Sequence, residues 1–283
     1  MLNLLKLKYV IREILPVFIS KIIKLRRVPN KHRFTYEGVF SSFQEVIDVH
    51  GPQPLYATQI SRFESVKNVS NIIDSYSTTD LSEVTFSIKP RWENTRFNII
   101  NSFVASLEKD KVSFLDIGGG FGETYLYIKS ACNKEFDYRI LELEPTVDLI
   151  QNTFKNILEV NFYTSLESVN FEPDIVYFGS SLQYFSNYKS ILLYAIGFSP
   201  QFIIISDTPM GKIDSFVSAQ INMSEIVIPC WILSRYEIVS ILQVGGYNLD
   251  YQSLNYYPMH NFDNFDDQYR QVFYTNLVFK KSV

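Results

Sequence analysis

Val112-Ser113-Phe114-Leu115-Asp116-Ile117-Gly118-Gly119-Gly120-Phe121-Gly122-Glu123 is the stretch whose reading decides the fold. An apolar run reads as a buried strand, ends on a carboxylate, and passes through four glycines within five residues before a helical pattern begins. Glycines suit such a place because the backbone must turn sharply and come close to a ligand with no Cβ in between. Asp116, at the strand end, is placed to accept hydrogen bonds from a cationic ligand.

The spacing separates two classes of ligand. A nicotinamide or flavin site calls for G-x-G-x-x-G, whose last glycine lets the helix pack on the strand. Here that position is Glu123, and the third glycine comes one residue early, at Gly122. The pattern favours S-adenosylmethionine, held by Asp116, Gly118, Gly119, Gly120, Phe121 and Gly122. Twenty residues past Gly122 the next strand ends in Glu142-Leu143-Glu144-Pro145. Glu142, with Glu144 in reserve, is placed for ribose hydroxyls at the carboxyl edge of the sheet, where open α/β folds take their ligands.

Around this centre the chain alternates short apolar strands with helical stretches, the pattern of a parallel sheet with crossover helices. The expected strands are 112–117, 138–143, 160–163, 175–178, 202–206, 247–254 and 272–279. Helices are expected near 123–131, 146–156, 186–196 and 234–244. An irregular loop at 255–270 joins the last two strands, so the final strand should be antiparallel. The expected fold is therefore the α/β, Rossmann-like class I methyltransferase sheet of seven strands, occupying residues 109–283. Residues 34–108 read as a mostly helical N-terminal region, closed by a helix through Arg96, Ile99, Ile100 and Val104.

The loop after the fourth strand, Gly179-Ser180-Ser181-Leu182-Gln183-Tyr184-Phe185, lies beside the transferring methyl group in methyltransferases. Ser180 and Ser181 are candidates for cofactor contact and Gln183 and Tyr184 for acceptor contact, though each polar residue could equally cap the next helix. A P-loop, an HExxH helix and a GxSxG elbow are absent. No His and carboxylate cluster suggests a metal.

Charge divides the 283 residues unevenly. Residues 1–33 carry nine Lys/Arg against Glu13 alone, a net +8, and leave 17 basic and 29 acidic residues, −12, for the remainder. An acidic body argues against nucleic acid as a partner. The basic head has helical apolar spacing (Leu4, Leu7, Ile11, Leu15, Phe18, Ile22, Leu25), which suits either an anionic membrane surface or docking on the acidic body. With no apolar run of 18 residues and two distant cysteines, Cys132 and Cys230, the expected compartment is the cytoplasm, with peripheral contact at the inner membrane.

Three later segments carry a more specific likeness. Ser206-Asp207-Thr208-Pro209, Phe216-Val217-Ser218-Ala219-Gln220 and Ile228-Pro229-Cys230-Trp231 resemble a family of methyltransferases from bacterial surface-polysaccharide (O-antigen and capsule) gene clusters. Tyr36-Glu37-Gly38-Val39-Phe40-Ser41 and Gly246-Tyr247 add to it, so the likeness covers about residues 34 to 258. Asp207 stands where that family commonly has Arg. The resemblance implies O-methylation of a sugar hydroxyl on a glycan or its nucleotide- or lipid-linked precursor. Gln220 then becomes an acceptor-positioning residue and Trp231 a sugar-stacking platform. For a base that takes the hydroxyl proton, Asp207 at the fifth strand end and His260 in the last loop are the candidates. Two other readings remain: a non-catalytic adenosylmethionine- or homocysteine-binding partner of a glycan-assembly complex, and a nucleotide-sugar dehydrogenase or reductase, which Glu123 and the terminal hairpin disfavour.

Overall fold

A computed structural model of the chain describes residues 34–51, 69, 70, 73, 94–221, 226–255, 260–262 and 265–282. The basic head, residues 1–33, lies outside them. In chain order the elements are β1 (Phe34–Phe40), α1 (Phe43–His50), α2 (Asn94–Ser106), β2 (Lys111–Ile117), α3 (Glu123–Ala131) and β3 (Glu135–Leu141). Then come α4 (Glu144–Ile150), β4 (Val160–Tyr163), β5 (Ile175–Gly179), α5 (Tyr188–Gly197), β6 (Phe202–Gly211) and β7 (Phe216–Ile221). The chain closes with β8 (Val227–Ser234), α6 (Arg235–Val244), β9 (Tyr247–Asn255), β10 (His260–Asn261) and β11 (Val272–Lys281). No helix among the described residues is long and apolar enough to cross a membrane.

The two-residue period of a strand sorts β2 into two faces. Val112 and Phe114 point into one core with Tyr138, Tyr177 and Ile204, covered by α2 and α3 through Ile100, Val104, Tyr125 and Ile128. Leu115 and Ile117 point into the other with Phe178, Ile203 and Ile205, covered by α5 and α6 through Leu192, Ala195, Ile238 and Leu242. Burying each such side chain is worth about 1.5–3 kcal/mol. Asp116 continues the Val112–Phe114 row, so the pleat carries a carboxylate into a buried position at the sheet's carboxyl edge.

All seven expected strands form, in the order β4-β3-β2-β5-β6-β11-β9, parallel except for β11. The helix expected at 146–156 is shifted: Pro145 in its first turn starts it at Glu144, and it ends at Ile150. Beyond it, Thr153 and Phe154 close tighter turns onto Ile150 and Gln151, which carry Phe154 into the core.

The expectation of a mostly helical 34–108 falls in part on residues 52–68, 71, 72 and 74–93, which lie outside the described residues. Residues 34–40 are a strand, not part of a helical region, and pair antiparallel with β7. Tyr36, 1% exposed, faces a core of its own with Phe216, Cys230 and Ile232. Phe34, Thr35, Tyr36, Val39 and Phe40 are strand formers, so local propensity and long-range pairing agree here. Helices α1 and α2 do form within 34–108. Four strands therefore add to the seven, in the order β10-β1-β7-β8.

The two sheets share one strand. β6 pairs with β5 as far as Gly179↔Ser206, and past that point its edge takes up β8 at Met210↔Leu233 and Gly211↔Ser234. The change happens at a β-bulge. Thr275 opposes Thr208 and Leu277 opposes Ile205, so Asn276 faces both Ser206 and Asp207, and Asp207 takes a left-handed backbone with φ 49°. Asn276 holds the bulge: its Oδ1 accepts from the Asp207 N–H at 3.0 Å and its amide donates to Ser253 Oγ at 3.0 Å.

Replacing fully buried Asn276 by Ala strips both partners at once. Asn276→Ala is expected to lower unfolding stability by about 1–3 kcal/mol, read as a fall in urea midpoint with the slope unchanged. An unchanged midpoint would show that the bulge holds without it.

Candidate functional site

β2 delivers Asp116 to the edge where the glycine turn begins, and the turn is fixed by bonds to its neighbours. Gly118 N–H donates to Leu141 O at 2.8 Å and Gly122 N–H to Gly119 O at 3.1 Å. Gly120 N–H donates to Glu142 Oε2 at 3.0 Å, while Glu142 Oε1 accepts from Leu143 N–H at 2.9 Å. Glu142 therefore reaches the turn from β3, and each of its oxygens has spent one acceptor position of about two.

Two glycines explain the sequence requirement. Gly118 has φ 73°, and a Cβ there would lie 2.5 Å from Ser181 Cβ. Gly120 has φ 57°, yet a Cβ there would meet no protein atom within 4 Å. Room at Gly120 is not taken by the protein itself; it opens on a cavity.

That cavity, about 190 Å³, is bounded by Arg96, Asp116, Gly118–Phe121, Glu123, Thr124 and Gly179. Asp116 is fully buried. Its Oδ2 accepts from Tyr138 Oη at 2.7 Å, and its Oδ1 has no hydrogen-bond partner. Burial pushes the Asp116 carboxyl up to about 7, against the pull of the Tyr138 hydrogen bond and the Arg96 charge. Gln183 Oε1, in the turn between β5 and α5, is a further buried polar atom without a partner, and the buried Tyr177 hydroxyl on β5 has only the Ser206 hydroxyl on β6 beside it. Such groups in a native fold call for a ligand or water. A glycine cradle with open space and a half-satisfied buried carboxylate fits a ligand with an adjacent cationic group.

The expected cofactor residues come together here. Asp116, Gly118, Gly119, Gly120 and Phe121 line the cavity, Gly122 caps α3 with φ 78°, and Glu142 bonds the turn. Ser181 lies under it, donating from Oγ to Ile117 O at 2.5 Å. Ser180 has a left-handed backbone, φ 56°, and Gln183 Nε2 ties to its carbonyl at 2.9 Å and its hydroxyl at 3.2 Å.

The acceptor candidates divide. Tyr184 Oη donates to Gln220 Oε1 at 3.0 Å, joining the turn after β5 to the second sheet. Asp207 is 3% exposed, and its Oδ1 accepts from Asn255 at 2.9 Å. His260 stands elsewhere, on edge strand β10 paired with Phe34, with β1, β7 and β8 between it and β6. Trp231 is not on the cavity either; it walls a separate cleft between α5 and α6.

Sequence reasoning passed over Arg96, Thr124 and Gly179 as cavity residues, and Tyr138 and Tyr177 beneath them. Arg96 had a signal: it is the one charged residue in the thirteen of α2, a helix whose neighbours Phe97 and Ile100 are core. The tyrosines had none, because within an apolar strand they read as packing.

The strand order, with one antiparallel strand placed next to last in space, can now be set beside known proteins. The fold is that of the class I methyltransferases. Magnesium protoporphyrin IX methyltransferase from Synechocystis, crystallised with bound S-adenosylhomocysteine, matches over 85% of this chain and 99% of its own, at 13% identity and a TM-score of 0.50. The 1,6-didemethyltoxoflavin-N1-methyltransferase of Burkholderia thailandensis matches over 82% and 93% at 12% identity and a TM-score of 0.46. An S-adenosylmethionine-dependent methyltransferase from Clostridium acetobutylicum matches over 74% and 99% at 10% identity and 0.45. No family model and no curated protein matches the sequence.

Asp116 makes a stability prediction. Its folded pKa lies above the unfolded value of about 3.9, so the folded state binds more protons between the two and stability is lost as pH rises through that window. Thermal melts of the ligand-free protein should show Asp116→Asn gaining on the parent between pH 5 and pH 8. A gain equal at both pH values would show that Asp116 is not the titrating group.

Proposed function

We propose that the chain is an S-adenosylmethionine-dependent methyltransferase. The observation that carries this is the buried Asp116 carboxylate with an unpartnered oxygen, set against a glycine turn whose Gly120 faces open space. Bound there, S-adenosylmethionine supplies an electrophilic methyl group. Asp116 accepts from the ammonium of its amino-acid portion, and Arg96, across the cavity, takes the carboxylate. Glu142 uses its remaining acceptor positions for ribose hydroxyls.

The acceptor we propose is a sugar hydroxyl of a bacterial surface glycan or its precursor. Support comes from the segments that resemble the polysaccharide-cluster family. Ser206–Pro209, Phe216–Gln220 and Ile228–Trp231 belong to β6, β7 and β8, which run side by side next to the turn bearing Gln183 and Tyr184. Asp207 takes the hydroxyl proton as the oxygen attacks; the bulge and Asn255 fix its carboxylate, and alignment supplies the rest of the rate. Tyr184 and Gln220, already bonded to each other, orient the acceptor. His260 stays out of this scheme because β10 lies at the far edge of the second sheet.

Two measurements test the reading. S-Adenosylhomocysteine should bind by calorimetry, and Arg96→Ala should weaken it by about tenfold to a hundredfold. The same variant should leave 5′-methylthioadenosine, which lacks the amino-acid portion, unaffected. Equal losses for both ligands would remove Arg96 from the site. Asp207→Asn should cut single-turnover methyl transfer to a surface-glycan extract by about 10²–10⁴ with S-adenosylhomocysteine affinity intact. A full rate in that variant would mean that alignment alone does the work.

A further inference from the structure

A second cavity in the described structure is larger than the one over the glycine turn. It is an open cleft of about 500 Å³ between the N-terminal turns of α5 and α6. Gly179 borders the first cavity and Ser186–Lys189 border the second. One short run of chain is thus a wall of both.

One wall of the cleft is a fixed indole. Trp231 Nε1 donates to Ser186 O at 3.2 Å, its ring meets the edge of Tyr188 at 5.1 Å, and Phe43 lies 6.1 Å away. The floor is a fixed polar group. Glu237 Oε2 accepts from Tyr188 Oη and Ser215 Oγ, both at 2.6 Å, and Oε1 pairs with Lys189 at 2.5 Å. Burial pushes the Glu237 carboxyl up, but the hydrogen bonds from Lys189, Ser215 and Tyr188 outweigh it and hold it below its ordinary range. Asp214 stands exposed at the rim.

The balance of these groups selects a ligand class. The Lys189 and Glu237 charges cancel in their ion pair, and the remaining charge, Asp214, stands exposed at the rim where water screens it. Rigid polar groups of both signs beside a pinned aromatic ring suit a neutral ligand that offers donors and acceptors around an apolar face. The volume lies within the range of about 300–1,000 Å³ usual for small-molecule sites.

We infer that this cleft is a second binding site, for a neutral sugar ring laid against Trp231. Resting on the transferase reading, it holds a non-reacting residue of the acceptor while another residue reaches the cavity over the glycine turn. Binding energy from a remote part of a substrate can then position the reacting part.

Saturation-transfer NMR on the full chain tests this, with methyl hexosides and methyl glycosides of N-acetylhexosamines as probes. Transfer to the ring protons of at least one sugar is expected. It should fall at least about fivefold in Trp231→Leu, while S-adenosylhomocysteine still binds by calorimetry and so reports an intact fold. Asp214→Asn, a rim change that disturbs no core, should weaken it as well. No transfer to any of the sugars from a protein that binds S-adenosylhomocysteine would overturn the inference, as would transfer that both variants leave untouched. Sugar binding in a protein with no affinity for S-adenosylhomocysteine would support the cleft and strike the transferase reading instead.

Discussion

Everything at the carboxyl edge of this sheet depends on one unfavourable burial, that of the Asp116 carboxylate. A charge removed from water without full pairing is costly, and a protein answers by shifting its protonation. Here one oxygen has Tyr138 and the other has nothing, so the carboxyl sits near neutrality between its two states. The glycine turn exists around this group. A Cβ on Gly119 would lie 2.7 Å from the Asp116 carboxylate. The turn and the acid are a single device, and neither works with an ordinary residue in the other's place.

A second constraint is the length of β6. A ten-residue strand, buried throughout, is longer than its partner β5, and the overhang is what the second sheet builds on. The bulge at Ser206–Asp207 marks the point where one neighbour is exchanged for another. Bulges commonly sit beside active sites because they re-aim a side chain. Asp207 adopts a left-handed backbone that Asp tolerates better than most residues, and two asparagines from β9 and β11 hold it there. The antiparallel last strand therefore does more than complete the sheet: through Asn276 it clamps the strand beside it.

How much of this was legible depended on whether a residue's role is local. The glycine turn, Asp116 and Glu142 could be read because their job is set within a few residues of chain, and strand periodicity gave the seven strands and the antiparallel end. β1 was missed although Phe34, Thr35, Tyr36, Val39 and Phe40 are strand formers, because the partner that completes it, β7, comes some 180 residues later. The resemblance makes Trp231 a sugar-stacking platform, but which cavity it borders is decided by its packing on Tyr188 and Phe43. His260 and Asp207 are both candidates for the base, His260 because a loop between the last two strands can border the acceptor pocket. Only the strand order reveals that three strands separate them.

The unpartnered atoms let chemistry be argued where resemblance stops. Fold likeness at 10–13% identity speaks for the backbone path alone, since one fold hosts many activities. Asp116 Oδ1, Tyr177 Oη, Gln183 Oε1 and Ser206 Oγ each cost about 1–3 kcal/mol if left unmade, and a domain holds only about 5–15 kcal/mol in reserve. Such atoms scattered through a core would be hard to sustain. Here Asp116 lines the cavity that opens at Gly120, and Tyr177, Ser206 and Gln183 stand on β5, β6 and the turn after β5, the distribution expected of a surface shaped for something that arrives later. Trp231 and Glu237, by contrast, are held by protein partners before any ligand comes. One site is poised by what it lacks and the other by what it has fixed, which suits a reacting group in the first and a bystander ring in the second.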